Sequence, residues 1–205
     1  MQSEERLNTV SHLLGAALAL AGLVTLVAQA SAKGDPWKIV SFSVYGVTLT
    51  ALYSFSTLYH ASRGKAKAIL QKIDHSAIYT LIAGTYTPFT LVTLRGAWGW
   101  PIFGTIWGLA MIGIVQDTLL ARKRRILSVI IYLLMGWLVI IAIRPLVRVL
   151  PIAGLAWLLA GGLLYTVGVI FYSWDKKIPY GHGIFHVFVL AGSICHYIAV
   201  ILYVL

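Results

Sequence analysis

Eight side chains with ligating, acid–base or hydroxyl chemistry fall in stretches that are otherwise apolar: Ser56, His60, Asp74, His75, Asp117, His182, His186 and His196. Ser56 and His60 are four apart, as are His182 and His186. Residues at that spacing share one face of a helix, and His-x-x-x-His presents two imidazoles to one metal ion. The three imidazoles of His60, His182 and His186 suit zinc. Three protein ligands with an open fourth position is the arrangement of a catalytic zinc site, whose water ionises near neutral pH. Asp74 could hold such a water as general base. Ser56, one turn from His60, could donate to the water or to a substrate carbonyl.

Each residue alone has a plainer reading. His60 could be an interfacial histidine at a helix end, Asp74 a partner of Lys72 or Arg63, and the His182/His186 spacing a coincidence. His75 points about 100° away from Asp74 around a helix, which suits packing or an outer-shell role. His196 lies about 15 Å beyond His186 at 1.5 Å per residue, too far for the same ion, and reads as a core histidine. Asp117 reads as an ion-pair partner of Arg122–Arg125. Glu5, Asn8 and His12 share one face at the start of the first helix. They could cap that helix or close the site from the side, and their spacing leaves both open.

The elements that must position these groups are membrane helices. Of 205 residues, 60% are hydrophobic and 11% charged, with a mean hydropathy of +0.87. A soluble domain is nearer half apolar and a quarter charged. This excludes an ordinary globular enzyme, a disordered tail and a nucleic-acid module, so the net charge of +10 reads as basic loops facing anionic lipid. The single Cys195 excludes an internal disulfide and a Cys-based zinc site. Seven apolar segments, at roughly 11–31, 38–61, 73–94, 100–120, 126–144, 152–173 and 183–204, each approach the ~20 residues a transmembrane helix needs. They make one seven-helix domain over 1–205, all-α and integral to the membrane.

The breaks are Lys33–Pro36, Arg63–Lys67, Arg95-Gly96, Arg122–Arg125, the turn bracketed by Pro145 and Pro151, and Asp175–Gly181. Of the 16 Lys and Arg, those of the N-terminal tail and the second, fourth and sixth loops outnumber those of the first, third and fifth by 11 to 5. By the positive-inside rule the N-terminus is cytoplasmic and the C-terminus outside, in a plasma membrane, with Trp37, Trp98 and Trp100 in the outer aromatic belt. That topology puts His60, Asp74, His182 and His186 at one depth.

Ala30-Ser31-Ala32 resembles a signal-peptide cleavage site. The preceding apolar run exceeds the usual 7–15 residues, and Glu4 and Glu5 outweigh Arg6, so the segment reads as a retained helix. Gly104 and Gly108 form a small-xxx-small packing pair. Pro88 should kink the third helix, with Thr85 and Thr87 available to freed carbonyls. Tyr53, Phe55 and Tyr59 read as packing or lipid contacts.

The stretches Ser54-Phe55-Ser56-Thr57-Leu58-Tyr59-His60, Ile73-Asp74-His75-Ser76-Ala77-Ile78-Tyr79, Ala83-Gly84-Thr85-Tyr86-Thr87-Pro88-Phe89 and Gly181–Ser193, with Glu5-Arg6-Leu7-Asn8, resemble the haemolysin III family. That family is grouped with the progestin and adipoQ receptors and, more distantly, the alkaline ceramidases. The resemblance implies seven helices with a cytoplasmic N-terminus. It implies zinc on His60, His182 and His186, with Asp74 contacting it through water and Ser56 alongside. Related sequences often carry Glu where this chain has Gly183. That position should face away from the two histidines and matter little to a metal.

The expected function is an intramembrane zinc hydrolase of a lipid amide or ester, ceramidase-like by resemblance, with Asp74 moving the proton and Ser56 steadying the oxyanion. A membrane lipid is the expected partner, nucleic acid is not, and an oligomer is compatible. Two alternatives are a pore-forming, cytolytic haemolysin and a lipid-responsive receptor or regulator in which zinc is structural.

Overall fold

The computed structural model describes residues 3–120, 125–175 and 177–205. The basic turn Arg122-Lys123-Arg124 and Lys176 lie outside them, and with that turn the expected pairing of Asp117 to Arg122–Arg125. The described residues form helices α1 (Ser3–Lys33), α2 (Pro36–Ala61), α3 (Gly64–Pro88), α4 (Gly99–Leu120), α5 (Arg125–Gly136), α6 (Ile143–Val149), α7 (Ile152–Ser173) and α8 (Gly181–Tyr203), with no strand among them. A π-helical turn, Phe89–Thr93, extends α3, and a 3-10 turn, Leu138–Ala142, joins α5 to α6.

Among the described residues six stretches are long and apolar enough to cross a membrane: Glu4–Lys33, Pro36–Ala61, Gly99–Leu119, Ile126–Val149, Ile152–Ser173 and Gly181–Tyr203. The third helix is as long but more polar, because Asp74, His75, Ser76, Thr80, Thr85 and Thr87 interrupt its apolar residues. It is tolerated because it packs between α2 and α4. The most exposed apolar side chains, such as Leu119, Ile126 and Ile152, suit a hydrocarbon solvent. The chain is therefore a multi-pass integral membrane protein.

Local chemistry sets the turns. Between α1 and α2, Gly34 takes a φ of +67° that L side chains rarely adopt. Asp35 then caps α2 by accepting from Trp37 N at 2.9 Å and Lys38 N at 3.3 Å, with Pro36 at the first helical position, where no N–H is needed. Lys33 and Lys38 both donate to the Leu205 carbonyl, at 2.7 and 2.5 Å, tying the end of α8 to this turn. At the same end Trp37 meets Trp100 edge-on, and the Arg95 guanidinium lies 4.0 Å over the Trp37 ring. The aromatic residues expected at one interface do share one end.

Helices α1 to α5 pack in sequence, α7 lies against α5 and α8, and α8 returns to lie against α1. The main core joins α1, α2, α3 and α8 through Leu26, Phe42, Tyr45, Tyr53, Leu81 and Val200. A smaller core joins α3, α4 and α5 through Tyr79, Ile106, Ala110 and Met135.

Four details depart from the segment boundaries and packing expected above. Helices α1 and α3 start about two turns early, at Ser3 and Gly64. Glu5, Asn8 and His12 are thus helical, and Asp74 lies in the third turn of α3. The fifth segment is broken by the 3-10 turn, and Pro145 sits in the first turn of α6, where its missing N–H costs nothing. Only Pro151 flanks the turn. Gly104 and Gly108 face open space, and the close approaches on α4 are at Gly99, against the Thr90 carbonyl, and at Gly113, against the Tyr79 ring. Pro88 ends the α-helix and the chain widens into the π turn. Thr85 and Thr87 bond the Leu81 and Ala83 carbonyls, not the Gly84 carbonyl that Pro88 deprives of its donor.

Candidate metal centre

The last turn of α2 carries His60 and the first two turns of α8 carry His182 and His186. One ligating nitrogen from each of these rings lies within 4.8 Å of the others. His60 and His186 are buried and His182 is half-buried. The structure thus brings together the three imidazoles that matching membrane depth pointed to. Ring centroids are 5.2 Å apart for His60 and His182, 4.8 Å for His60 and His186, and 4.7 Å for His182 and His186.

The donor set fits a borderline metal such as zinc. His60 Nδ1 meets Glu5 Oε2 at 2.7 Å, and His60 Nε2 is buried with no hydrogen-bond partner among the described residues. A buried, unbonded ring nitrogen facing two more imidazoles calls for a partner, and a metal ion is one that all three rings can share. His182 Nδ1 lies 3.7 Å from Asp175 Oδ2, so both half-accessible sides of the cluster carry a carboxylate behind an imidazole.

Ser56 and Asp74 are close by but are not among the converging ligand atoms. The Ser56 hydroxyl lies near the Asp74 carboxyl, where α2 packs on α3. Both line a cavity of about 150 Å3 together with His12, His182 and His186. From this polar end the cavity runs between α3, α5, α7 and α8 along Leu81, Leu133, Val169 and Val189 to His196. On the other side of the histidines a polar vestibule of about 330 Å3 is lined by Glu4, Glu5, Tyr59, His60, Asp175 and His182. The histidine cluster stands between a polar compartment and an apolar one.

The remaining candidates also have places. His196 approaches the Leu158 carbonyl through Nε2 at 3.2 Å and packs over Gly161, a core position at the far end of the cavity. The His75 carbonyl accepts from Tyr132 at 3.1 Å. Asp117 is buried and accepts from Ser128 at 2.5 Å and from Tyr132 at 3.4 Å. Its described partners are therefore hydroxyls on α5. Tyr53 is a hydrogen-bonding residue as well as a packing one, donating to Ser193 at 2.8 Å.

Spacing alone did not assign α1 its part. Glu5 bonds His60, and His12 stacks on His186 with ring centroids 3.7 Å apart. The shared face of Glu5, Asn8 and His12 was the available signal, and it closes the site from the side. Gly183 also faces α1. A Cβ there would come within 3.0 Å of Leu7 Cδ2 and 3.1 Å of Asn8 Oδ1. A larger residue would press on the helix that carries Glu5 and His12.

The whole layout has relatives. A model of haemolysin-III-related proteins matches residues 1–197. The chain is 46% identical over 203 residues to Hemolysin-3 of Bacillus cereus, covering 98% of this chain and 92% of that one. It is 47% identical over 201 residues to the Hemolysin-3 homolog of Bacillus subtilis (strain 168), covering 98% and 94%. Against the monocyte to macrophage differentiation factor of Homo sapiens it is 30% identical over 173 residues, covering 81% and 71%. With the family model matched over nearly its full length, the chain belongs to the haemolysin III family.

Proposed function

We propose that this protein is an intramembrane, zinc-dependent hydrolase of a lipid amide or ester. The observation that supports it is the convergence of three imidazoles at the polar end of a cavity whose wall is otherwise mainly apolar. A zinc ion held by His60, His182 and His186 would acidify a coordinated water and polarise a carbonyl oxygen. The chain's own residues do the rest. Asp74 accepts the proton of the attacking water and returns it to the leaving group. Ser56, which lines the cavity beside Asp74, donates toward the carbonyl oxygen. The apolar wall holds the acyl chain, and the vestibule admits water and the polar head. The excess of Lys and Arg in the even-numbered loops and the tail supports a cytoplasmic N-terminus and vestibule in the plasma membrane.

The test is metal analysis of the detergent-purified protein, followed by a screen of lipid amides and esters. About one zinc per chain and turnover lost in His186→Ala and Asp74→Asn support the proposal. A folded, metal-free protein without turnover overturns it. A second reading, a cytolytic protein, rests on the printed name of the Bacillus cereus relative. It predicts dye release from lipid vesicles by the purified protein, undiminished in His186→Ala.

A further inference from the structure

Glu5 is a carboxylate on α1 with two partners on two other helices. Its Oε2 meets His60 Nδ1 at 2.7 Å, and its Oε1 accepts from Lys67 Nζ at 2.6 Å. His60 is 3% exposed, whereas Glu5 and Lys67 are about 30% exposed. Lys67 is itself held over the Tyr59 ring, 5.0 Å from its centroid. One carboxylate therefore joins the start of α1, the end of α2 and the start of α3 at the rim of the vestibule.

An ionised carboxylate only accepts hydrogen bonds. The His60 nitrogen facing it must then carry the proton. In a neutral ring the other nitrogen, Nε2, keeps its lone pair. Nε2 is also the buried nitrogen without a hydrogen-bond partner, on the ring that faces His182 and His186. Carboxylates behind ligating imidazoles fix tautomer and ring orientation and raise ligand basicity. Lys67 occupies the second carboxylate oxygen, which stops Glu5 from rotating away and offsets its charge.

We propose that Glu5, braced by Lys67, is the positioning residue that sets His60 as a metal ligand, so that α1 assembles the centre without contributing a ligand itself. This rests on the metal-site reading above. It adds that metal affinity depends on a residue outside the three histidines and outside Asp74 and Ser56. The same carboxylate closes the vestibule rim, so metal loading and docking of α1 onto α2 are coupled.

The test is zinc affinity of the full-length, detergent-purified chain, measured by competition with a chromophoric chelator. The visible spectrum of the cobalt-loaded protein is the second readout. Glu5→Ala, Glu5→Gln, Lys67→Met, His60→Ala and the neighbouring control Glu4→Gln are compared with wild type. Loss of an outer-shell partner of this kind typically costs about 10–100-fold in affinity. Glu5→Ala should show that loss with a shifted cobalt spectrum. Glu5→Gln should fall between it and wild type, since its amide oxygen still accepts from Nδ1 but carries no charge. Lys67→Met should weaken binding less than Glu5→Ala, and Glu4→Gln should match wild type. Helicity without metal, unchanged across the set, separates these effects from misfolding. If Glu5→Ala does not fold, the Glu5→Gln and Lys67→Met affinities decide. Wild-type affinity and spectrum in the folded Glu5 variants would overturn the positioning role while leaving the histidine site intact. No metal on the wild type, or undiminished binding by His60→Ala, would instead overturn the site itself.

Discussion

His12 of α1 stacks almost face to face on His186 of α8, with ring centroids 3.7 Å apart and planes 18° from parallel. Neither nitrogen of His12 has a hydrogen-bond partner among the described residues, and its ring also meets Tyr53 edge-on at 5.0 Å. The imidazole is a wall of the cavity, holding one ligand ring in place from behind. His12→Ala should lower the melting temperature in detergent, since truncating a buried ring costs about 3 kcal/mol for Phe-sized side chains. Zinc stoichiometry should stay near one per chain, because His12 is not among the converging ligand atoms. His12→Phe, which keeps the stack, should recover most of the stability. Melting curves and metal analysis on the same preparations check both.

Chelation should destabilise the fold. A metal on His60, His182 and His186 would tie α2 to α8, and a ligand that binds only the folded state stabilises it by about 2.7 kcal/mol at a hundredfold excess over Kd. Wild type should therefore melt lower after dialysis against a chelator and recover with added zinc. His186→Ala should melt at one temperature under both conditions. A wild-type melting point indifferent to chelator would count against the metal.

Asp117 holds α5 to α4 through Ser128 and Tyr132, and Tyr132 continues to the His75 carbonyl on α3. Removing the acceptor leaves the buried Ser128 hydroxyl unsatisfied, at about 1–3 kcal/mol, while Tyr132 keeps the His75 carbonyl. Asp117→Ala should lose stability in that range and Tyr132→Phe somewhat less, with zinc affinity unchanged in both. A large loss of zinc from either variant would place Asp117 in the metal centre instead.

The two kinds of α4 glycine should behave oppositely. A Cβ at Gly113 would lie 2.2 Å from Tyr79 Cε1, on a ring that is fully buried, while a Cβ at Gly104 meets nothing within 4 Å. Gly113→Ala should cost about 1–3 kcal/mol through overpacking. Gly104→Ala should be neutral or stabilising by up to about 1 kcal/mol, as Gly in a helix interior is unfavourable relative to Ala. Thermal melts of the two variants side by side decide it.

The amino-acid sequence by itself determined the membrane class, the helical segments and the three histidines. Apolar runs of spanning length leave few structural alternatives in lipid, and ionisable residues stand out inside them. Four-residue spacing put Ser56 with His60 and His182 with His186 on single faces, because helical periodicity is a local property. Matching depth then pointed to one centre.

Relations between faces of different helices were decided only by the tertiary structure. Glu5 and His60 are 55 residues apart, and His12 and His186 much farther. Their meeting depends on α1 packing against both α2 and α8, which no spacing encodes. The same holds for Asp117, whose hydroxyl partners lie on the next helix, and for Gly104 and Gly108. Their spacing would serve a close contact, but their face has no neighbour. Spacing fixes where a side chain sits around its own helix axis. The rotation of that helix against its neighbours is set by the summed packing of many side chains, and that rotation brings Glu5, His12, His60 and His186 to one place.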